Sequence, residues 1–190
     1  MIDSIRRAVA DSLELKKIFF QRNEQLIADV AREICTALEN GRKVLLYGNG
    51  GSAADSQHIA AEWVGRFRRE RRAFPAIALT TDTSILTAVG NDYGFDHVFL
   101  RQVQALGRKG DIAIAISTSG NSPNVLLATD AAREIGMITI GLTGRDGGKL
   151  GSRVDYHLNV PHELSARIQE VHIMIGHILC DLADENMKGI

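Results

Sequence analysis

Two continuous apolar runs each end in a turn of small residues, and each turn opens a helical pattern. Lys43-Val44-Leu45-Leu46-Tyr47 leads into Gly48-Asn49-Gly50-Gly51-Ser52. Asp111-Ile112-Ala113-Ile114-Ala115-Ile116 leads into Ser117-Thr118-Ser119-Gly120-Asn121-Ser122. A run without polar alternation is the pattern of a strand buried on both faces, which belongs to a parallel sheet covered by helices on either side. Similar runs at 75–80, 137–142 and 156–160 complete a set of five expected strands. Helical patterns fall between them, near 53–67, 84–90, 96–106 and 123–135, and a last one covers about 164–187. Strand–helix alternation implies an α/β fold with a doubly wound parallel sheet. Ser122 is placed to cap the helix that begins at Pro123.

Residues 1–40 read as helix. Ile5, Val9 and Leu13, then Leu26, Val30, Ile34 and Leu38, form one apolar stripe, with a break expected at Arg22-Asn23 and a stop at Asn40-Gly41. A helical arm ahead of the first strand has little core of its own to cover, so its stripe is expected to pack on another subunit. The 190 residues suit one domain spanning 1–190, with no linker or repeat. The net charge of −1, from 22 Lys+Arg against 23 Asp+Glu, argues against a nucleic-acid binder. The basic run Arg66-Phe67-Arg68-Arg69-Glu70-Arg71-Arg72 reads as a solvated helix end. No apolar run is long enough to span a membrane, and Met1 to Arg7 lack the apolar core of a signal peptide. Cys35 and Cys180 sit in amphipathic patterns far apart, as buried reduced thiols of a cytoplasmic protein would.

The turns suggest a ligand class. Small residues let backbone N–H groups close on an oxyanion, and a helix N-terminus adds partial positive charge. The hydroxyls of the second turn add donors suited to phosphate oxygens. Two such turns at one sheet edge point to a phosphorylated small molecule. Past the first turn, His58 and Glu62 lie four apart on one helix face, as a metal pair, an acid/base pair or an ordinary surface pair would. Asp55 stands three after Ser52, where a capping role competes with a catalytic one. In the last helix, Gln169 and His177 share a broad face, while His172 reads as a packed core histidine. Gly176 hints at close approach of another backbone at an interface. Thr80-Thr81-Asp82-Thr83-Ser84 and Gly90-Asn91-Asp92-Tyr93-Gly94 fit ordinary capping and turns. Thr143-Gly144-Arg145-Asp146-Gly147-Gly148-Lys149 reads as a surface turn rather than a third anion loop.

Gly48-Asn49-Gly50-Gly51-Ser52, Ser117-Thr118-Ser119-Gly120-Asn121-Ser122 and Ala166-Arg167-Ile168-Gln169-Glu170 with His177 together resemble the sugar isomerase (SIS) family, and more narrowly the phosphoheptose isomerases. The resemblance covers nearly the whole chain. It implies a five-stranded, flavodoxin-like sheet, a cytoplasmic homotetramer with sites between subunits, and aldose–ketose isomerisation of sedoheptulose 7-phosphate through an enediol, the first step toward nucleotide-activated heptose for lipopolysaccharide core. By position it implies that Ser117, Thr118, Ser119 and Ser122 hold phosphate. Asn49, Gly50, Gly51, Ser52, Asn91, Asp92 and Gln169 line the sugar site. Glu62 is then the base, His177 its acid partner and Asp55 a group for ring opening. A zinc ion, one per subunit, is implied at His58, Glu62, Gln169 and His177, and the glutamine ligand suggests weak binding. Some members carry an acid where this chain has Ala166. A related SIS tetramer is a non-catalytic partner of the replication initiator, and a sugar-phosphate sensor is a further alternative. That scaffold lacks equivalents of Glu62 and His177, and this chain has both.

Overall fold

The computed structural model describes residues 1–187. Its elements are α1 (Ile2–Glu39), β1 (Val44–Gly48), α2 (Gly51–Val64), β2 (Ala76–Ala78), α3 (Thr83–Tyr93), α4 (Leu100–Leu106), β3 (Ile112–Ser117), α5 (Pro123–Ile135), β4 (Ile138–Gly144), β5 (Tyr156–Val160) and α6 (Ser165–Asn186). The five strands form one sheet in the order β2-β1-β3-β4-β5, and every neighbouring pair is parallel. This is a doubly wound α/β fold, as the strand runs imply. The sequence of the sheet reverses direction between β1 and β3.

Alternate residues of a strand point to opposite faces, and here both faces are apolar. Val44, Leu46, Ile112, Ile114 and Ile116 join one core with α1, α2 and α6. Leu45, Tyr47, Ala113 and Ala115 join the other, with Val98, Phe99, α4 and α5. At the opposite sheet edge from the turns, buried Asp111 accepts from the Lys43 ammonium at 2.5 Å and from the Lys43 and Arg108 backbone N–H groups. That carboxylate fixes the entry ends of β1 and β3 together.

Four expectations need correction. The arm is one continuous 38-residue helix with no break at Arg22-Asn23. The Asn23 amide donates to the Phe19 carbonyl at 2.8 Å, so the residue bonds within the helix, and neither glycine nor proline is present there to end it. The arm also covers core of its own chain: Phe19, Ile27, Val30, Ile34 and Leu38 are buried in the first core, whereas Ile2, Ile5, Val9 and Leu13 are exposed. Asn91 and Asp92 lie in the last turn of α3, not in a loop after it. Finally, α2 stops at Val64, so the basic run is an irregular loop, and Arg71 within it is buried.

Candidate active site

The two small-residue turns leave the carboxyl ends of β1 and β3, the strands on either side of the reversal. In an open parallel sheet that point is a crevice, because the following helices depart to opposite faces. The Asn49 and Asn124 side-chain amides bridge it by two reciprocal hydrogen bonds of 2.9 Å. Asn124 was not singled out from sequence. Its place beside Pro123 gives no chemical signal until the turns are paired in space.

In the second turn the hydroxyls converge. Ser117 Oγ lies 3.0 Å from Ser122 Oγ and 3.4 Å from Ser119 Oγ. Thr118 Oγ1 lies 3.5 Å from Ser165 Oγ, so the N-terminus of α6 contributes a further hydroxyl. Ser122 occupies the N-cap position of α5 but makes no side-chain cap bond; its hydroxyl turns to Ser117 instead. The first-turn N–H groups of α5 are therefore left to an external acceptor, which suits an anion. The Gly-rich loop after β4 supports this turn. Gly120 has φ +63° and packs on the Gly147 carbonyl, and Lys149 N–H donates to Asn121 Oδ1. This loop is thus a prop for the hydroxyl cradle.

The first turn opens α2, with Gly50 at its N-cap and φ +56°. Ser52 is buried inside the helix, and its carbonyl accepts from Ser56 Oγ at 2.8 Å. The capping arrangement with Asp55 is therefore not formed: the helix starts two residues too early for it. Gln169 of α6 lies against Gly51 so closely that any β-carbon there would overlap its amide. Asp55 Oδ2 is sealed from solvent with no hydrogen-bond partner, and burial raises its pKa to about 6 against the opposing pull of His58.

His58 Nε2 lies 3.2 Å from Glu62 Oε1 on the next turn of α2 and 3.4 Å from His177 Nε2 on α6. Phe67 stacks on the His177 ring, with centroids 5.6 Å apart and planes at 25°. Donor separations near 3.3 Å are what two ligands of a tetrahedral zinc with bonds of about 2.0–2.1 Å would have. His58, Glu62 and His177 are of the right donor types for zinc, and two of their separations are of this size. Among the described residues, however, no group of three or more His, Cys, Asp or Glu is placed so as to hold a metal ion. Asn91 and Asp92 are exposed and bond each other at 2.8 Å; they make no hydrogen bond to another candidate. His172 is fully buried, and its Nε2–H donates to the Thr143 carbonyl at 2.9 Å. Gly176 packs on the side chain of Ile59 in α2, so its close approach is to a side chain of the same chain.

The crevice therefore holds an anion cradle and the Gln169 amide beside the first turn, and the same two helices, α2 and α6, bring His58, Glu62 and His177 together farther along. The SIS domain family matches residues 9–144. The phosphoheptose isomerase of Aquifex aeolicus is 56% identical over 185 residues, covering 97% of each chain. The solved phosphoheptose isomerase of Neisseria gonorrhoeae is 49% identical, with a TM-score of 0.91 over 96% of this chain and 98% of that one. That of Francisella tularensis is 41% identical, with a TM-score of 0.94 over 97% and 98%. This likeness over the full length does not favour the non-catalytic scaffold. The chain belongs to the phosphoheptose isomerases, within the SIS-domain family.

Proposed function

We propose that the chain interconverts sedoheptulose 7-phosphate and D-glycero-D-manno-heptose 7-phosphate through an enediol. The observation that carries this reading is that α2 and α6, which border the two turns through Gly51–Gln169 and Thr118–Ser165, also bring His58 against Glu62 and His177. The cradle of Ser117, Thr118, Ser119 and Ser122 takes the phosphate, at the positive end of α5. Asn49, Gly50, Gly51, Ser52 and Gln169 border the sugar, with Asn91 and Asp92 reaching it from α3.

The reaction moves one proton between adjacent carbons. The Glu62 carboxylate takes the C1 proton of the open-chain ketose and returns it at C2, while His177 serves the oxygens by giving and taking a proton. Asp55, with its pKa near 6, is able to hold or release a proton near neutrality, which suits ring opening. His58, Glu62, Gln169 and His177 would be the donors for a zinc ion. Bound there, it would polarise the substrate carbonyl as a Lewis acid.

The wider setting belongs to the same reading: a cytoplasmic homotetramer, with residues 1–40 as its assembly arm on a single SIS domain 1–190, feeding heptose to lipopolysaccharide core. No described helix is long and apolar enough to cross a membrane, and neither membrane nor nucleic acid enters this reading. The test is turnover of sedoheptulose 7-phosphate by the purified chain, with and without added zinc. Formation of the aldose heptose 7-phosphate is expected. No conversion under either condition would contradict the proposal.

A further inference from the structure

The C-terminal end of α2 is closed by a side chain. The last carbonyls of a helix have no partner within it. Here the Arg71 guanidinium donates to the Glu62 carbonyl at 3.0 Å and to the Trp63 carbonyl at 2.9 Å. Its Nε donates to Asp184 Oδ1 at 2.5 Å, and both side chains of this ion pair are 1% exposed. The guanidinium also lies over the Phe74 ring, 3.9 Å from its centroid. The planar fork of arginine can serve all these acceptors at once, which a lysine cannot.

Asp184 has a second task. Its Oδ2 accepts from the backbone N–H groups of Arg68 at 2.9 Å and Arg69 at 3.1 Å. This pins the loop immediately after Phe67, the residue whose ring stacks on His177. Asp184 stands two turns beyond His177 on α6, so the two project from the same side of that helix. One buried carboxylate thus joins three things: the end of the helix that carries Glu62, the loop that carries Phe67, and the helix that carries His177.

We propose that Arg71, Asp184 and Phe67 are positioning residues for proton transfer, a brace that sets the His177 imidazole plane opposite Glu62. This rests on the reading of Glu62 and His177 as the proton-transfer pair. None of the three need touch substrate. Their effect is on geometry, and displacement of a reacting group by an ångström is enough to cost on the order of a hundredfold in rate.

The experiment compares Phe67→Leu, Phe67→Tyr, Asp184→Asn and Arg71→Lys with the unmodified protein. Two readouts are taken: kcat and KM with sedoheptulose 7-phosphate, and the imidazole carbon–proton resonances of His177 by NMR without ligand. A ring stacked on an imidazole shifts those resonances, so they report the brace independently of turnover. Phe67→Leu and Asp184→Asn are expected to lower kcat ~10- to 100-fold with KM within about twofold, and to move the His177 signal. Phe67→Tyr is expected to keep both near normal. Removing one partner of a buried ion pair endangers folding; if Asp184→Asn does not fold, the half-buried Phe67 still carries the test. A Phe67→Leu variant with unchanged kcat, a loss confined to KM, or an unmoved His177 resonance would overturn the brace. An unmodified chain inert on the sugar phosphate would overturn the isomerase reading instead, while the resonance still judges the brace.

Discussion

Asp55 and His172 are held away from their ordinary protonation by burial, and the two respond to pH in opposite senses. His172 is driven down to about 4 by desolvation, against the pull of its bond to Thr143. The unfolded chain therefore binds its proton more readily, and stability present above about pH 6.5 is lost as pH falls toward 4. Asp55 is raised to about 6, mainly by desolvation. The folded chain then binds that proton more readily, so stability falls as pH rises from about 4 to about 6 and stays lower above that. Asp55→Asn removes this cost and is expected to melt above the unmodified protein at pH 7.5, by about 1 kcal/mol after allowance for solvent screening. The gap should close near pH 4. Thermal melts of the pair at the two pH values read it directly, since the His172 contribution cancels between them. A variant less stable at pH 7.5 would mean that the ionised Asp55 has a partner. His172 was legible in the sequence as a core histidine. The isolation of Asp55 was not, because Ser52 and Asp55 carry the letters of a helix cap and only the early start of α2 at Gly51 removes that role.

At the scale of elements, α2 and α6 define the site by how closely they pack. A β-carbon at Gly176 would overlap Ile59 Cδ1. Gly176→Ala is expected to destabilise by about 1–3 kcal/mol, as overpacking does, and to lower activity by forcing apart the helices that carry His58 and His177. Urea unfolding and turnover check the two effects; an alanine variant with wild-type stability would show that the interface yields. The strands were legible because residues buried on both faces leave unbroken apolar runs, and the crevice was legible because two such runs end in small-residue turns. The fate of Arg66 to Arg72 was not. A charge-rich segment looks solvated in sequence, and nothing local shows that Asp184, more than a hundred positions later, accepts from Arg71. The break expected at Arg22-Asn23 failed for a similar reason: asparagine is a weak breaker when its amide can bond the carbonyl one turn back.

For the whole molecule, the arm has two halves with different duties. Phe19 to Leu38 build the first core, while Ile2, Ile5, Val9 and Leu13 are 66%, 63%, 53% and 63% exposed. Within the exposed half, Ser12 donates to Glu170 at 2.5 Å and Asp11 accepts from Arg167 at 3.1 Å, fastening the arm to the start of α6. An apolar stripe left in water is unfavourable by roughly 25 cal/mol per Å², so association through it is expected. A chain lacking residues 1–13, which keeps Phe19, is expected to fold but to lose assembly on light scattering; unchanged mass would assign assembly to another face. The central claim concerns chemistry at the sheet-edge crevice, and isomerisation run in deuterium oxide tests it most directly. Transfer through an enediol at Glu62 puts solvent deuterium on C2 of the part of the product whose proton exchanges on Glu62, the rest keeping the proton lifted from C1, and Glu62→Gln, which keeps the shape without the basic carboxylate, loses about two to four orders of magnitude in rate. A Glu62→Gln variant that turns over at the normal rate, with unchanged deuterium content at C2, would contradict it.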